Sequence, residues 1–218
     1  MESIPDAWPG AATPNALKLA PLFPLPNVYL FPGSVMPLHI FEPRYRQMVE
    51  DMLDGPGRLV MGTVLEKDAP HLDGAPSVLP IAGLGEIGRH ERLPDGRFLI
   101  WLIGLTRVRI REVESSRLYR RVEVDALEEI QPSKQRATAL RPVLQKAILS
   151  RCTEFLNLPK EMPLSYLVDL LLQRMQLPQG VMAHLYSELD VSKRADGALH
   201  EHAHRPLPPP VDPKPPAE

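Results

Sequence analysis

The stretch Leu22–Met48, LFPLPNVYLFPGSVMPLHIFEPRYRQM, contains the strongest structural signals in the chain. Prolines stand at positions 24, 26, 32 and 37. Because proline has a fixed φ near −65° and no amide hydrogen, these residues exclude a helix and limit the apolar segments to short strands and turns. We predict strands at Val28–Phe31 and Leu38–Phe41, connected through a turn at Pro32-Gly33.

A helix is predicted to follow immediately, beginning at Pro43. Proline is favoured at the first position of a helix, where its missing amide hydrogen has no partner to lose. Apolar residues then recur at offsets of three, four, seven and eight, which places them on one helical face: Tyr45, Met48, Val49, Met52 and Leu53. Gly55 is predicted to cap the carboxyl end of this helix.

Short apolar segments separated by turn residues continue to about residue 126. We predict strands at Arg58–Leu65, Val78–Leu84, Glu86–Leu93, Phe98–Ile103, Leu105–Val113 and Tyr119–Ala126. No crossover helix is recognised between these segments. An antiparallel sheet, closed as a barrel or folded as a sandwich, is therefore expected.

The apolar period becomes helical after Pro132. Ser133 is a suitable N-cap for a helix whose buried stripe comprises Ala137, Leu140, Leu144, Ile148 and Phe155. Pro142 falls within this helix, and we expect it to break the helix and restart it. Two further helices are predicted at Leu164–Met175 and Gly180–Leu189.

Four strings of the chain resemble the amino-terminal, substrate-recognising domain of the Lon proteases. They are FPLPNVYLFPG, PLHIFEPRYRQMV, LIGLTRVRI and LVDLLLQRMQLPQGVMAHLYSELDVSKRADGAL. The resemblance implies an α+β fold with a small antiparallel β-barrel-like (PUA-like) lobe followed by an α-helical subdomain. We therefore predict a disordered arm over residues 1–20, the β lobe over 21–131, the helical subdomain over 132–197 and a disordered proline-rich tail over 198–218.

The same resemblance implies recognition of protein chains without proteolysis. A Lon-type peptidase uses a serine activated by a lysine and an ATPase with a GxxxxGK[ST] loop, and no Gly-Lys dipeptide occurs in this sequence. Ser133 and Ser192 each precede a lysine, but at a predicted helix start and helix end. Cys152 is predicted to lie within a helix among core residues. An ATP-independent peptidase using Cys152 or one of the serines is the second alternative.

We therefore predict a non-catalytic module that binds unfolded or tagged polypeptides, or that acts as an adaptor to a separate protease or chaperone. Tyr29, Phe31 and Met36, beside the proline-rich turn, are the candidate polypeptide-contact residues. Short strands leave such side chains incompletely buried, and methionine adapts to varied partners. The alternative is that all three belong to the core.

An RNA-binding barrel is the first alternative function, with Arg107, Arg109 and Arg111 on its exposed face. Glutamates are interleaved with these arginines and no row of aromatic residues accompanies them, which disfavours a nucleic-acid partner. The glycines of Gly83–Gly88 match GxGxxG, but an Asp-Gly turn rather than a helix follows. We therefore expect no bound cofactor.

Three histidines, at positions 200, 202 and 204, could share a metal only if the chain were extended there, and a solvated tail without metal is expected. The net charge of −2 gives no reason to expect an anionic partner. A single cysteine indicates a reducing compartment. Neither a signal peptide nor a long apolar run is recognised, so we expect a cytoplasmic location and no membrane partner; the oligomeric state stays open.

Overall fold

Six strands form one mixed sheet in the structure, a computed structural model that describes residues 19–66, 68, 74–152, 158–159 and 161–208. The strands are β1 (Leu19–Pro26), β2 (Val35–Ile40), β3 (Arg58–Val64), β4 (Ile81–Arg92), β5 (Phe98–Val113) and β6 (Arg120–Ala126). Their order across the sheet is β2-β5-β4-β3-β1-β6, and β6 also pairs with β5. Five strands thus close into a barrel, and β2 extends the sheet beyond β5.

One strand pair differs from the predicted antiparallel sheet. β1 runs parallel to β3, whereas the other pairs among the described strands are antiparallel. The segment between β1 and β3 contains a helix, as a parallel connection requires. β1 itself, LAPLFPLP, was not recognised as a strand because three of its eight residues are proline.

Five helices complete the α+β fold, whose predicted class is confirmed. They are α1 (Pro43–Leu53), α2 (Lys134–Leu149), α3 (Leu164–Gln173), α4 (Gln179–Ser187) and α5 (Val191–Ala203). Contacts divide the chain into a sheet unit, which ends at Glu128 but includes α4, and a helical unit formed by Glu129–Pro178 and the residues from Glu188 onward. The structure thus groups α4 with the sheet rather than with the other helices. None of the helices within the described ranges has the length and apolar character needed to cross a bilayer.

Helix α1 follows the prediction closely. Pro43 is its first residue, and Tyr45, Met48, Val49 and Met52 form its buried face. Leu53 lies outside that face and is 38% exposed. The C-terminal capping residue is Asp54 rather than the predicted Gly55. The Gly55 N–H donates to the Met52 carbonyl.

The first core of the sheet unit lies between α1 and the inner side of the sheet. It contains Phe23, Leu30, Ile40, Tyr45, Met48, Val49, Met52, Leu59, Met61, Phe98, Ile100, Leu102 and Tyr119. A second, smaller core contains Ala20, Leu22, Val60, Ala82, Leu84, Val108 and Val122. These two clusters hold the barrel and its first helix together through burial of apolar surface.

Residues 27–34 form a loop, so the strand predicted at Val28–Phe31 is absent from this position. Asn27 has a positive φ of 55° and Gly33 one of 76°, and these left-handed residues turn the chain at both ends of the loop. The loop lies over glycines of β4 and β5. A Cβ on Gly83 would lie 2.4 Å from the Leu30 carbonyl oxygen, and one on Gly104 would lie 2.1 Å from the Phe31 carbonyl oxygen.

These contacts account for the GxGxxG match at Gly83–Gly88. The motif lies within strand β4, and no helix follows it. Gly85 lies against Leu30 and Leu102, and Gly88 against Ile103. The glycines therefore allow close packing within the sheet unit. β4 and β5 are each continuous through Gly85 and Gly104, where the sequence predicted breaks between shorter strands. The pairing of β4 with β5 shifts register between Leu84 and Gly85 and between Ile87 and Arg89.

In the helical unit, α2 is continuous through Pro142, so the predicted restart is wrong. Proline at this position removes the hydrogen bond to the Thr138 carbonyl, but Pro142 is exposed and the packing of the neighbouring turns holds the helix together. The predicted N-cap is confirmed, since the Ser133 hydroxyl accepts from the Arg136 N–H at 3.2 Å. Phe155, placed on the same stripe by the sequence, lies outside the described residues.

The core of the helical unit is apolar with one buried ion cluster. Its apolar residues are Leu140, Leu144, Ala147, Ile148, Met162, Leu164, Leu167, Val168, Leu171, Leu172, Met175, Val191, Ala195 and Ala198. The side chain of Arg194 is fully buried and pairs with Asp169 and Glu129. Asp190 caps α5 by accepting from the Ser192 and Lys193 N–H groups at 2.9 and 3.2 Å.

Helix α5 extends further than expected, because residues 198–203 were predicted to belong to a disordered tail. His200 and His202 lie in this helix and His204 caps it, so the extended geometry that three shared imidazoles require is absent. His202 Nδ1 instead accepts from Arg151 Nε at 2.8 Å. Burial and the Arg151 charge lower the pKa of His202. The arm before residue 19 and the tail after residue 208 lie outside the described residues.

Candidate functional site

The loop of residues 27–34 places two of the three candidate contact residues. Phe31 is buried, at 3% exposure, with its ring at 5.1 Å and 81° from that of Tyr186 in α4. The Arg107 guanidinium lies 4.8 Å from the Tyr186 ring and 5.7 Å from the Phe31 ring. Phe31 therefore packs α4 against the barrel and does not form part of the surface.

Tyr29 lies half-buried at the same position. Its ring is 5.2 Å from that of Tyr186, and its hydroxyl lies 3.4 Å from the Gln179 carbonyl oxygen. Burial, with a smaller contribution from Glu66, raises the pKa of Tyr29 to about 12. The phenol is therefore neutral at physiological pH.

Gln179 holds the loop to the barrel through its side-chain amide. Its Nε2 donates to the Val64 carbonyl at 2.8 Å and to Asn27 Oδ1 at 3.1 Å, and its Oε1 accepts from the Glu66 N–H at 2.8 Å. Tyr186 adds a hydrogen bond of 2.7 Å from its hydroxyl to the Leu30 carbonyl. The loop containing Tyr29 and Phe31 is thus fixed at several points.

Met36, the third candidate, belongs to the inner side of β2. It is paired with Leu102 and packs against the first core, as do Leu38 beside Ile100 and Ile40 beside Phe98. The alternative that the candidates belong to the core applies to Phe31, and Met36 is half-buried against that core. Tyr29 is likewise half-buried.

The opposite side of the same strands is apolar and open. Paired residues in an antiparallel sheet project to the same side, and the pairs Val35–Ile103, Pro37–Trp101 and His39–Leu99 alternate with the core pairs. We define the open sheet face as Val35, His39, Phe41, Leu99, Trp101 and Ile103. Phe41 is 60% exposed and Val35 47%.

Polar and charged groups border this face. Arg89, which pairs with Trp101 across β4 and β5, places its guanidinium 4.7 Å from the Trp101 ring. His39, the polar member of the face, is exposed, with its ring 5.9 Å from that of Phe41. An apolar centre with an arginine stacked on its tryptophan and polar groups at its border has the composition of a protein-contact surface.

Sequence reasoning did not identify the open sheet face. Both segments that form it, VMPLHI in β2 with the following Phe41 and FLIWLIGL in β5, are almost entirely apolar, so they lack the alternation that would distinguish an inner from an outer side. Such runs are typical of strands buried on both sides. Here the core covers only the inner side of β2 and β5, and the pairing register identifies the residues on the outer side.

The arginine face proposed for RNA is not assembled as predicted. Arg107 is 1% exposed, and its Nε donates to the Tyr186 carbonyl at 2.8 Å. Arg111 pairs with Glu123, and Arg120 with Glu112 at 2.6 Å. Of the three arginines named for RNA, Arg107 belongs to the interior and Arg111 is held by a carboxylate.

The candidate nucleophiles lie in structural positions. The Ser133 hydroxyl caps α2, Ser192 lies in the first turn of α5, and Lys193 Nζ is 4.0 Å from Asp190. Cys152 lies beyond the end of α2, where its N–H donates to the Ile148 carbonyl at 3.0 Å, so the predicted mid-helix position is wrong. Within the described ranges, no three metal-binding side chains cluster.

Comparison with known proteins identifies what the chain is similar to. Residues 20–200 match the model of the ATP-dependent protease La (LON) substrate-binding domain. The chain is 28% identical over 163 residues to Lon protease 2 of Sorangium cellulosum strain So ce56 and 24% identical over 153 residues to a Lon protease of Azospirillum brasilense. These alignments cover 72% and 70% of this chain but 20% and 18% of the relatives.

Two solved structures share the fold. The N-terminal domain of a Mycobacterium avium complex Lon protease superposes with a TM-score of 0.67 at 17% identity, covering 86% of this chain and 99% of that one. A Lon N-terminal domain protein from Xanthomonas campestris gives 0.59 at 22% identity, covering 87% of this chain and 100% of the other. The matched segment is therefore equivalent to a whole domain in both structures.

Proposed function

The chain belongs to the Lon substrate-binding domain family, and from this premise we propose that it binds unfolded polypeptide segments through the open sheet face. The observation that carries the proposal is the apolar composition of this face, on which Phe41 is 60% and Val35 47% exposed and Leu99, Trp101 and Ile103 are half-buried. Apolar patches bordered by polar groups mark interaction sites on soluble proteins.

The chemistry of the face favours an apolar or aromatic segment as its occupant. Phe41 and Trp101 offer ring surfaces, Val35, Leu99 and Ile103 offer aliphatic ones, and neither set requires a particular hydrogen-bond partner. Burying one such side chain stabilises a complex by about 1.5–3 kcal/mol before the loss of chain entropy. Such binding discriminates by apolar content rather than by sequence, as unfolded clients require.

Strand β2 also gives an extended client a place to lie. It is the last strand of the sheet, since among the described strands it pairs with β5 alone. Pro37 lacks an amide hydrogen, which limits the pairing of another strand along this edge. We therefore infer that side-chain contact on the face, rather than continuous strand pairing, supplies most of the affinity.

Replacing Phe41 with glutamate is expected to weaken binding of an unfolded model polypeptide about tenfold or more, because the change removes apolar contact and requires a carboxylate to be desolvated on the face. Fluorescence anisotropy with a labelled, reduced and carboxymethylated lactalbumin measures the dissociation constant. Val143→Glu is the matched control, since Val143 is 50% exposed on α2 of the helical unit. Equal affinity of both variants and the wild type would refute the open sheet face as the site.

A further inference from the structure

A cavity of about 260 Å³ lies at the end of the barrel where α1 terminates. Its lining residues are Leu19, Pro21, Asp51, Met52, Gly55, Pro56, Gly57, Arg58, Arg117, Tyr119 and Arg121. All of them belong to the sheet unit, and none belongs to the open sheet face. Because pockets for drug-sized ligands span about 300–1,000 Å³, a cavity of this size suits one side chain or one charged terminal group.

The cavity carries an excess of positive charge, with three arginines against one aspartate. Arg58 pairs with Glu86 at 2.9 Å. Arg117 Nη1 lies 3.4 Å from Asp51 Oδ2, which also accepts from the Tyr119 hydroxyl at 2.9 Å. The one carboxylate among the lining residues is thus already held by two neighbours.

Arg121 differs from the other two arginines. It is half-buried beside Pro21, its pairing partner across β1 and β6, and it lines the cavity. Within the described ranges, it has no ion pair with a carboxylate. A partly desolvated guanidinium at the wall of an open cavity favours an anionic partner, and carboxylates match its fork of donors.

The remaining walls are apolar. Leu19 is 40% exposed, Met52 is 7% exposed, and Pro21 and Pro56 complete this side. Burial and its hydrogen bond to Asp51 raise the pKa of Tyr119, so the phenol continues to donate to Asp51 at neutral pH. The cavity therefore combines cationic and apolar walls, which suits a carboxylate with an apolar side chain next to it.

We propose that this cavity binds a polypeptide carboxylate flanked by an apolar side chain, with Arg121 as its main ligand and Arg117 at the entrance. The carboxylate is either a free chain terminus or an acidic side chain. The polypeptide nature of the ligand rests on the proposed function, but the surface is a different one. Binding at this cavity would select polypeptides by charge, whereas the open sheet face selects them by apolar content alone.

Peptide binding tests the proposal with three fluorescently labelled probes: one ending in leucine with a free carboxylate, the same peptide as its amide, and the amide with an internal Glu-Leu pair. We expect at least one carboxylate peptide to bind about tenfold more tightly than the neutral amide, since hydrogen bonds to charged groups are the stronger ones. Which carboxylate peptide binds identifies the source. Equal binding of all three peptides would overturn the proposal.

Arg121→Gln is expected to remove this preference, whereas Arg109→Gln, an exposed arginine outside the cavity, is expected to retain it. Arg117→Gln provides a second test at a 52% exposed side chain, should the strand variant fold poorly. Loss of the preference in the Arg109 variant, or its survival in both cavity variants, would contradict the assignment. Phe41→Glu should leave the preference intact, so failure of the cavity is distinguishable from failure of the open sheet face.

Discussion

Replacing Arg194 with methionine is expected to lower the free energy of unfolding of the chain by about 3–5 kcal/mol, the cost of breaking a buried ion pair from one side. The side chain of Arg194 is fully buried, and that of Asp169 is 2% exposed. Arg194 Nε lies 3.2 Å from Asp169 Oδ1, Nη1 donates to the Glu188 carbonyl at 2.7 Å, and Nη2 pairs with Glu129. Methionine fills the volume but leaves these acceptors without a cation.

Urea denaturation followed by circular dichroism at 222 nm measures the loss. Arg136→Met is the control, because Arg136 pairs with Asp196 on the surface, where the two side chains are 45% and 56% exposed, and such pairs contribute about 0–1 kcal/mol. Adding Asp169→Leu to Arg194→Met should recover part of the stability, since an apolar pair can replace a buried ion pair. A loss below about 1 kcal/mol for Arg194→Met would mean that the cluster is solvated.

Replacing Gly104 with alanine is expected to lower the free energy of unfolding by about 3 kcal/mol, the upper end of the range typical of overpacked sites. A Cβ there would lie 2.1 Å from the Phe31 carbonyl oxygen and 2.9 Å from its carbon, and backbone atoms cannot turn aside as a side chain does. The loop is also bonded to this residue, because the Gly33 N–H donates to the Gly104 carbonyl at 2.8 Å and the Gly104 N–H to the Ser34 carbonyl at 2.9 Å.

Gly180→Ala is the matched control for this substitution. Gly180 lies in α4 with nothing within 4 Å of an added Cβ, so alanine should be neutral or stabilise the chain by up to about 1 kcal/mol. Thermal unfolding of the two variants measures the difference directly. Equal melting temperatures would show that the loop of residues 27–34 is not held against β5 as described.

The elements that the sequence predicted well are those with local signals. Pro43 begins α1 and Ser133 caps α2, because both effects act within one turn of helix. The prediction failed where local composition favoured one structure but packing against distant residues imposed another. Val28–Phe31 has the composition of a strand, yet it forms a loop because its backbone lies over Gly83 and Gly104, which are distant in sequence.

The helical unit shows the same dependence on distant contacts. Pro142 stays within α2, since the apolar stripe of that helix packs against α3 and α5 and compensates for one missing hydrogen bond. His202 belongs to a helix rather than to a solvated tail, and Arg151, far away in sequence, donates hydrogen bonds from its guanidinium to the His202 ring and carbonyl at the end of α5. Neither contact has a signal in the local sequence.

The contact residues named from the sequence differ from the residues of the open sheet face. The resemblance indicated polypeptide recognition, and the sequence placed the contact residues beside the proline-rich turn. Met36 and Val35 are adjacent in sequence, yet they lie on opposite sides of β2, with Val35 on the open sheet face. Only the pairing register with β5 shows which residues of β2 face the core, because a register shift of one residue would exchange the inner and outer sides of the strand.

Photocrosslinking from position 41 tests the central claim, that unfolded polypeptides bind the open sheet face. A benzophenone amino acid replaces Phe41 in one variant and Val143, which is 50% exposed on α2, in the other. We predict crosslinks to carboxymethylated lactalbumin from position 41 but not from position 143, and none to native lactalbumin. Equal crosslinking from both positions, or binding without crosslinks from position 41, would contradict the assignment of the open sheet face.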